Sequence, residues 1–162
     1  MDIDTDWPLI RQVFEAGLRA SRHCAIASVN AQGRPHVTPI GFIFLRDDKT
    51  AFYFEQYTRA LPANFEHSRQ VCLMTVNGGA GFWLRSLWRG RFLSYPGIRL
   101  YGEVGERRKA NPQELATLAA RIGGARHLRG SKLIWSDLAH VRDIRITGVE
   151  PVKYPRMMAH LP

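Results

Sequence analysis

The stretch from Ala25 to Val76 constrains the fold more than any other part of the chain. Ala25-Ile26-Ala27-Ser28-Val29 reads as a first strand, and the turn Asn30-Ala31-Gln32-Gly33 leads into a second over residues 34–44. Asp47-Asp48-Lys49 turns the chain into a third, Thr50-Ala51-Phe52-Tyr53-Phe54. Then come a polar elbow, Glu55-Gln56-Tyr57-Thr58-Arg59, a short helical piece over 60–65 and a fourth strand over 71–76. This order closes one side of a small barrel. It leaves hydroxyl and guanidinium donors exposed where the third strand ends.

In the second strand Thr38, Ile40, Phe42 and Phe44 share one face, and Val37, Pro39, Gly41, Ile43 and Leu45 share the other. Both faces are largely apolar, which predicts burial on both sides. Pro39 has no N–H to give a ladder, so pairing is expected to open there, and Gly41 admits a close approach to the backbone. Two readings stay open: a wall for a flat ligand, or an edge strand whose proline blocks aggregation.

Around this block the pattern predicts a helix over residues 7–21, capped by Asp6 with Pro8 in its first turn and Leu9, Val13, Phe14 and Leu18 on one face. Gly17 weakens that helix by about 1 kcal/mol relative to alanine. Residues 82–95 interleave aromatics with arginines and read as a strand end and loop that covers a pocket, meets a second subunit or packs on the domain's own core. Residues 98–104 read as a fifth strand. Asn111-Pro112-Gln113-Glu114 opens a helix whose apolar face is Leu115, Leu118, Ala119 and Ile122. Leu133-Ile134-Trp135 and Leu138 suggest a helix or loop laid on the sheet. Residues 142–149 form a closing strand, and the tail after Pro151 is expected to be loose or partner-bound.

The length of 162 residues suits one domain: an N-terminal helix to residue 22, a barrel with inserted helices over 23–150 and a tail over 151–162. No apolar run nears the ~20 residues of a membrane span. The acidic start Met1-Asp2-Ile3-Asp4-Thr5-Asp6 has no secretory core, so a cytoplasmic protein is expected. Cys24 and Cys72 read as reduced core thiols without a C-x-x-C motif, and the six histidines are too scattered to suggest a metal. The net charge of +9 comes from 19 Arg against 4 Lys, and no acid lies between Glu66 and Glu103. Arg69, Arg85, Arg89, Arg91 and Arg99 therefore make a field suited to phosphate or carboxylate, or simply a solvated basic surface. No nucleic-acid-binding motif accompanies the charge, so nucleic acid is not the expected partner. There is no G-x-G-x-x-G, Walker or G-x-S-x-G motif, and no catalytic residue can be named.

The ordered set of a first helix, Gly33-Arg34-Pro35-His36-Val37-Thr38-Pro39, an aromatic third strand, Thr58-Arg59, Asn64 and a later strand ending in Gly102 resembles the pyridoxamine 5′-phosphate oxidase-like family of FMN-binding split β-barrels. The resemblance implies a mainly β (α+β) fold, a split barrel of about six antiparallel strands with flanking helices. It implies a homodimer with flavin at the subunit interface and an FMN-dependent oxidoreductase acting on a small, anionic or planar substrate. Carried over residue by residue, Thr38, Pro39 and Ile40 would line the ring, and Tyr53, Phe54, Thr58, Arg59 and Asn64 would hold the ribityl-phosphate. Trp83, Arg85 and Arg99 would contact substrate or the second subunit. The family's usual lysine after the elbow arginine is replaced by Ala60 or Leu61, a basic residue at the end of the flavin-lining strand is replaced near Ile43, and a C-terminal Arg-x-His substrate pattern is lacking. Vitamin oxidase activity is therefore not expected. The alternatives are a deazaflavin, a haem with His23, His36 or His67 as axial ligand, or flavin binding without turnover.

Overall fold

The structure, a computed structural model, describes residues 1–56, 58–124, 130 and 138–161. Its centre is a seven-stranded antiparallel sheet. The chain order is α1 (Trp7–Ser21), β1 (Cys24–Val29), β2 (Pro35–Ile40), β3 (Ile43–Leu45), β4 (Thr50–Phe54), α2 (Ala60–Phe65), β5 (Gln70–Val76), α3 (Ala80–Arg89), β6 (Gly97–Lys109), α4 (Pro112–Ile122), β7 (His140–Pro151) and α5 (Pro155–Met158). The strands lie in the order β2-β1-β5-β6-β7-β4-β3. The edge strands β2 and β3 are joined through only Gly41 and Phe42. A two-residue link between opposite edges forces the sheet to curl, so the split-barrel expectation holds, with seven strands where about six were expected.

The seventh strand arises because the long second segment changes partners. Pro39 stays in register opposite Ala25, and Ile40 stays opposite Cys24. The ladder breaks at Gly41–Phe42, after which Ile43 pairs with Tyr53. The opening therefore comes later than Pro39. The expected burial on both sides also fails for β2: Pro35, His36, Val37 and Pro39 are exposed and only Ile40 is buried. As an edge strand β2 tolerates prolines that an interior strand would not.

α1 lays Ile10, Val13, Phe14, Gly17 and Leu18 on the inner face of the sheet. Asp6 does not cap it with its side chain, which instead accepts the Asp2 N–H at 2.8 Å. Gly17 is there for contact: a Cβ at this position would lie 2.8 Å from both Cβ and Oγ1 of Thr75. Gly17→Ala is expected to cost about 1–3 kcal/mol through overpacking, outweighing the ~1 kcal/mol gain in helix propensity. A urea midpoint equal to or above the parent's would show that α1 can lift from β5 freely.

Three further expectations change. Residues 80–89 form a helix, α3, closed by left-handed Gly90, in place of a strand end. α4 does begin with a reciprocal Asn111–Glu114 capping box, but its buried side is Glu114 and Leu118, and Leu115 is exposed. The tail is docked: Phe92 N–H donates to Met157 O at 3.0 Å, and Met158 is buried. The Leu133–Trp135 expectation lies outside the described residues. Cys24 and Cys72 are free thiols, and burial pushes the Cys24 thiol up to about 12. Among the described residues no helix is long and apolar enough to cross a membrane, and no group of acidic, cysteine and histidine side chains is arranged to hold a metal.

Candidate functional site

Two features stand out on the sheet. The first is the outer sheet face. Strict alternation along β1, β5 and β6 buries one side and leaves the other accessible. The registers then align accessible residues into rows. One row is Val37, Ala27, Cys72 and Tyr101, and the next is Pro39, Ala25, Met74 and Arg99. Val29, Val37 and Tyr101 are among the exposed large apolar side chains. These rows make a continuous, largely apolar strip on the outer face. At its rim Arg99 and the Tyr101 hydroxyl both reach Glu150, at 3.4 and 2.9 Å.

The second feature is the elbow after β4. The aromatic strand Phe52-Tyr53-Phe54 is buried. Phe54 N–H donates to Phe42 O at 3.0 Å, which ties the end of the third segment to the break in the second. Glu55 follows, 7% exposed, its N–H bonded to His140 O at 3.0 Å. Arg142 Nε donates to both Glu55 carboxylate oxygens at 2.9 and 3.0 Å, Arg107 approaches at 3.3 Å, and Arg142 also donates to Gly105 O at 3.1 Å. The elbow is thus clamped to β6 and β7.

Immediately after the clamp, Gln56 Nε2 and Thr58 Oγ1 are buried without a hydrogen-bond partner among the described residues. The Tyr53 hydroxyl is likewise buried beside Glu55 without a bond of ordinary geometry. Burial, and then the Glu55 carboxylate, raise the phenol well above its ordinary value, with Arg142 opposing, so it stays protonated and able to donate at neutral pH. A buried unpaired donor costs about 1–3 kcal/mol, so Gln56 and Thr58 at one bend call for an acceptor. Arg59, exposed, stands next to them with no carboxylate partner among the described residues. Donors plus a free guanidinium suit a phosphate.

The remaining sequence-predicted residues separate. Asn64 is buried in the six-residue α2 and donates to Ser28 Oγ at 2.8 Å, tying α2 to β1. Thr38 is half-buried, on the inner side with Ile40, whereas Pro39 lies on the outer face. Trp83 faces inward: its indole N–H donates to Asn77 O at 2.8 Å, and its ring packs edge-on against Phe92 and Tyr154. Arg85 is exposed on α3. His36 is exposed on β2, and His23 and His67 are exposed in the α1–β1 and α2–β5 turns. Sequence reasoning left Gln56, Glu55 and Arg142 out of the site. Gln56 was legible as a polar residue in the elbow, but nothing local marks Arg142 as its clamp from across the chain.

The family description "Pyridoxamine 5′-phosphate oxidase" matches residues 10–150. No curated protein matches the chain. Solved structures share the fold at low identity. An FMN-binding protein from Syntrophomonas wolfei subsp. wolfei superposes with a TM-score of 0.65 at 14% identity, over 93% of this chain and 90% of that one. An F420 reductase gives 0.55 at 15% identity over 85% and 95%. The haem storage protein HutZ from Vibrio cholerae gives 0.51 at 16% identity over 88% and 94%.

Proposed function

Since the chain belongs to the pyridoxamine 5′-phosphate oxidase family, we propose that it is a homodimeric FMN-binding oxidoreductase whose elbow holds the cofactor phosphate. The observation that carries this reading is the pair of buried donors, Gln56 Nε2 and Thr58 Oγ1, beside Arg59, none of which has a partner among the described residues. Gln56, Thr58 and Arg59 hold the phosphate, and the protonated Tyr53 hydroxyl adds a further donor. The flavin ring lies against Pro39 and the Gly41 break. Bound FMN supplies the hydride or electron chemistry, and the protein supplies orientation and exclusion of water. The apolar rows on the outer sheet face support dimerisation through that face, because an exposed surface of this kind is costly in a free chain. The fold of the FMN-binding protein from Syntrophomonas wolfei supports the cofactor class. That of the F420 reductase keeps a deazaflavin as the second reading, because its phosphate would meet the same donors. The scattered exposed histidines give haem no comparable support.

The test is titration of the purified protein with FMN, followed by flavin fluorescence and absorbance. Saturable binding with a flavin spectrum is expected. Arg59→Ala should weaken it at least tenfold, since a charge-assisted hydrogen bond contributes about 1.5–3 kcal/mol. A protein that stays colourless with excess FMN sinks the reading. Bound flavin that neither NADH nor NADPH reduces would remove the oxidoreductase part and leave a carrier.

A further inference from the structure

α3 turns an apolar face to solvent that nothing among the described residues covers. Leu84, Leu87 and Trp88 are 72, 62 and 88% exposed. The opposite side is anchored. The Phe82 ring stacks on buried Phe92 at 5.6 Å, and Trp83 meets Phe92 edge-on at 5.3 Å, in the cluster that also holds the buried side of α1. α3 therefore belongs to the α1 side of the sheet and not to the apolar rows of the outer face. Helical geometry puts Leu84 and Trp88 at the centre of the exposed face, Leu87 along one flank, and Arg85 and Arg89 along the other. The patch continues past the helix: Leu93 is exposed, and exposed Tyr154 packs on Trp83 at 5.7 Å, next in sequence to exposed Lys153. The charge around this face has one sign. Arg85, Arg89 and Arg91 are exposed without a carboxylate partner among the described residues. The chain has no acid from residue 67 to 102 and none after Glu150, which is taken up by Arg99 and Tyr101.

We propose that α3 docks this domain on an anionic lipid surface, with Leu84, Leu87 and Trp88 sunk below the headgroups and Arg85, Arg89 and Arg91 on lipid phosphates. The proposal is independent of any cofactor. A helix with leucines and a tryptophan on one face and arginines beside them has the pattern of one that lies in the plane of a bilayer interface. Its ten residues are too few to span a bilayer, so it rides on the surface. Trp88 suits that depth, where an amphipathic ring is favoured. Trp7 and Trp83 donate their indole N–H to Arg46 O and Asn77 O, whereas that of Trp88 has no acceptor among the described residues and is available to the headgroups. Guanidinium matches lipid phosphate in charge and in geometry. Phe82 and Trp83 hold the helix in place before it binds, so little ordering cost remains to be met. A protein partner fits less well. The exposed face is a ridge about 15 Å long, too small for the ~800 Å² per partner of a stable protein interface, whereas a bilayer moulds itself around a ridge. A second copy laid face to face would bring two sets of arginines together, with no acid nearby to relieve the repulsion.

The experiment is flotation of the full chain with vesicles of phosphatidylcholine, with and without phosphatidylglycerol. The parent should float with the phosphatidylglycerol vesicles, far less with phosphatidylcholine alone, and progressively less as salt is added. Leu84→Glu with Trp88→Glu should weaken partitioning by about tenfold or more. Both side chains are exposed, so this variant should unfold at the parent's temperature. Arg85→Gln and Arg89→Gln should each weaken partitioning roughly fivefold. Tryptophan emission should shift to the blue on the vesicles, and the shift should shrink in Trp88→Phe, which still floats. A parent that does not float with phosphatidylglycerol vesicles overturns the proposal. So does equal flotation on both vesicle types, a Leu84→Glu/Trp88→Glu variant that floats as the parent does, or an emission shift unchanged in Trp88→Phe. A parent that sediments as a larger species than the Leu84→Glu/Trp88→Glu variant would assign the face to a second copy of the chain and overturn the lipid reading.

Discussion

Arg108→Ala is expected to lower stability by about 3 kcal/mol, because it leaves a buried carboxylate short of its partners. Glu114 is 4% exposed. Arg108 donates to it through Nη1 at 3.0 Å and Nη2 at 2.7 Å, and to Asp143 through Nε at 2.6 Å and Nη2 at 2.8 Å. Arg46 reaches both acids through Nη2, at 2.6 and 2.8 Å, and its guanidinium lies 4.4 Å from the Phe52 ring centre. Glu114 also closes the capping box of α4, accepting from Asn111 N–H at 2.9 Å. One cluster therefore fastens α4 to β6, β7 and the β3–β4 turn. In a domain of this size the loss should lower Tm by roughly 10 °C. Thermal unfolding reads it, and a shift under about 2 °C would show that Arg46 alone suffices.

The same cluster sets the acid dependence. Desolvation opposes the Glu114 charge, but hydrogen bonds from Arg108, the Asn111 N–H and Arg46 outweigh it, and its pKa falls below 4.5. Asp143 is lowered below 3.8 by its Arg108 hydrogen bond, against desolvation and with help from Arg46. A carboxylate whose folded pKa is depressed contributes stability above its unfolded pKa and loses it as pH falls through the folded value. Parent stability should therefore hold down to about pH 4.5 and decline below it, with a shallower decline in Arg108→Ala. Urea midpoints from pH 7 to 3 test this. Equal slopes for the two proteins would exclude the cluster as the source.

Arg142→Met should cost nearly as much, about 3 kcal/mol, for the same physical reason. Glu55 would remain buried with only half-exposed Arg107 at 3.3 Å. The paired change Glu55→Gln with Arg142→Met removes the uncompensated charge and should restore most of the stability. It should not restore FMN affinity, because the clamp that aims Gln56 and Thr58 is gone. Thermal unfolding and flavin titration on the parent, the single and the double variant separate the two effects. A stable single variant would show that the Glu55–Arg142 pair holds nothing.

Local signals proved reliable where the physics is local. The Asn111-Pro112-Gln113-Glu114 start formed its capping box, because both bonds join residues three apart. The turns before β2 and β4 also translated directly, and the strands expected over 25–29 and 71–76 formed as β1 and β5. α3 was missed because Gly78, Gly79 and Gly81 mask its start and its exposed face is as apolar as its packed one. The apolar face expected for α4 was misjudged because Glu114 is buried by arginines on β6 and the β3–β4 turn, far away in sequence.

The order of segments and turns by itself pointed to one side of a small barrel with an aromatic third strand and a polar bend after it, because side-chain period and turn chemistry act over a few residues, whereas the antiparallel split barrel was implied by the family resemblance. Only the tertiary structure decided where β2 hands over to β3, which arginines are spent on carboxylates and which donors at the bend stay unpaired. Those outcomes depend on what strands nearly ninety positions apart bring to one place, as Arg142 does for Glu55. No local pattern carries that information.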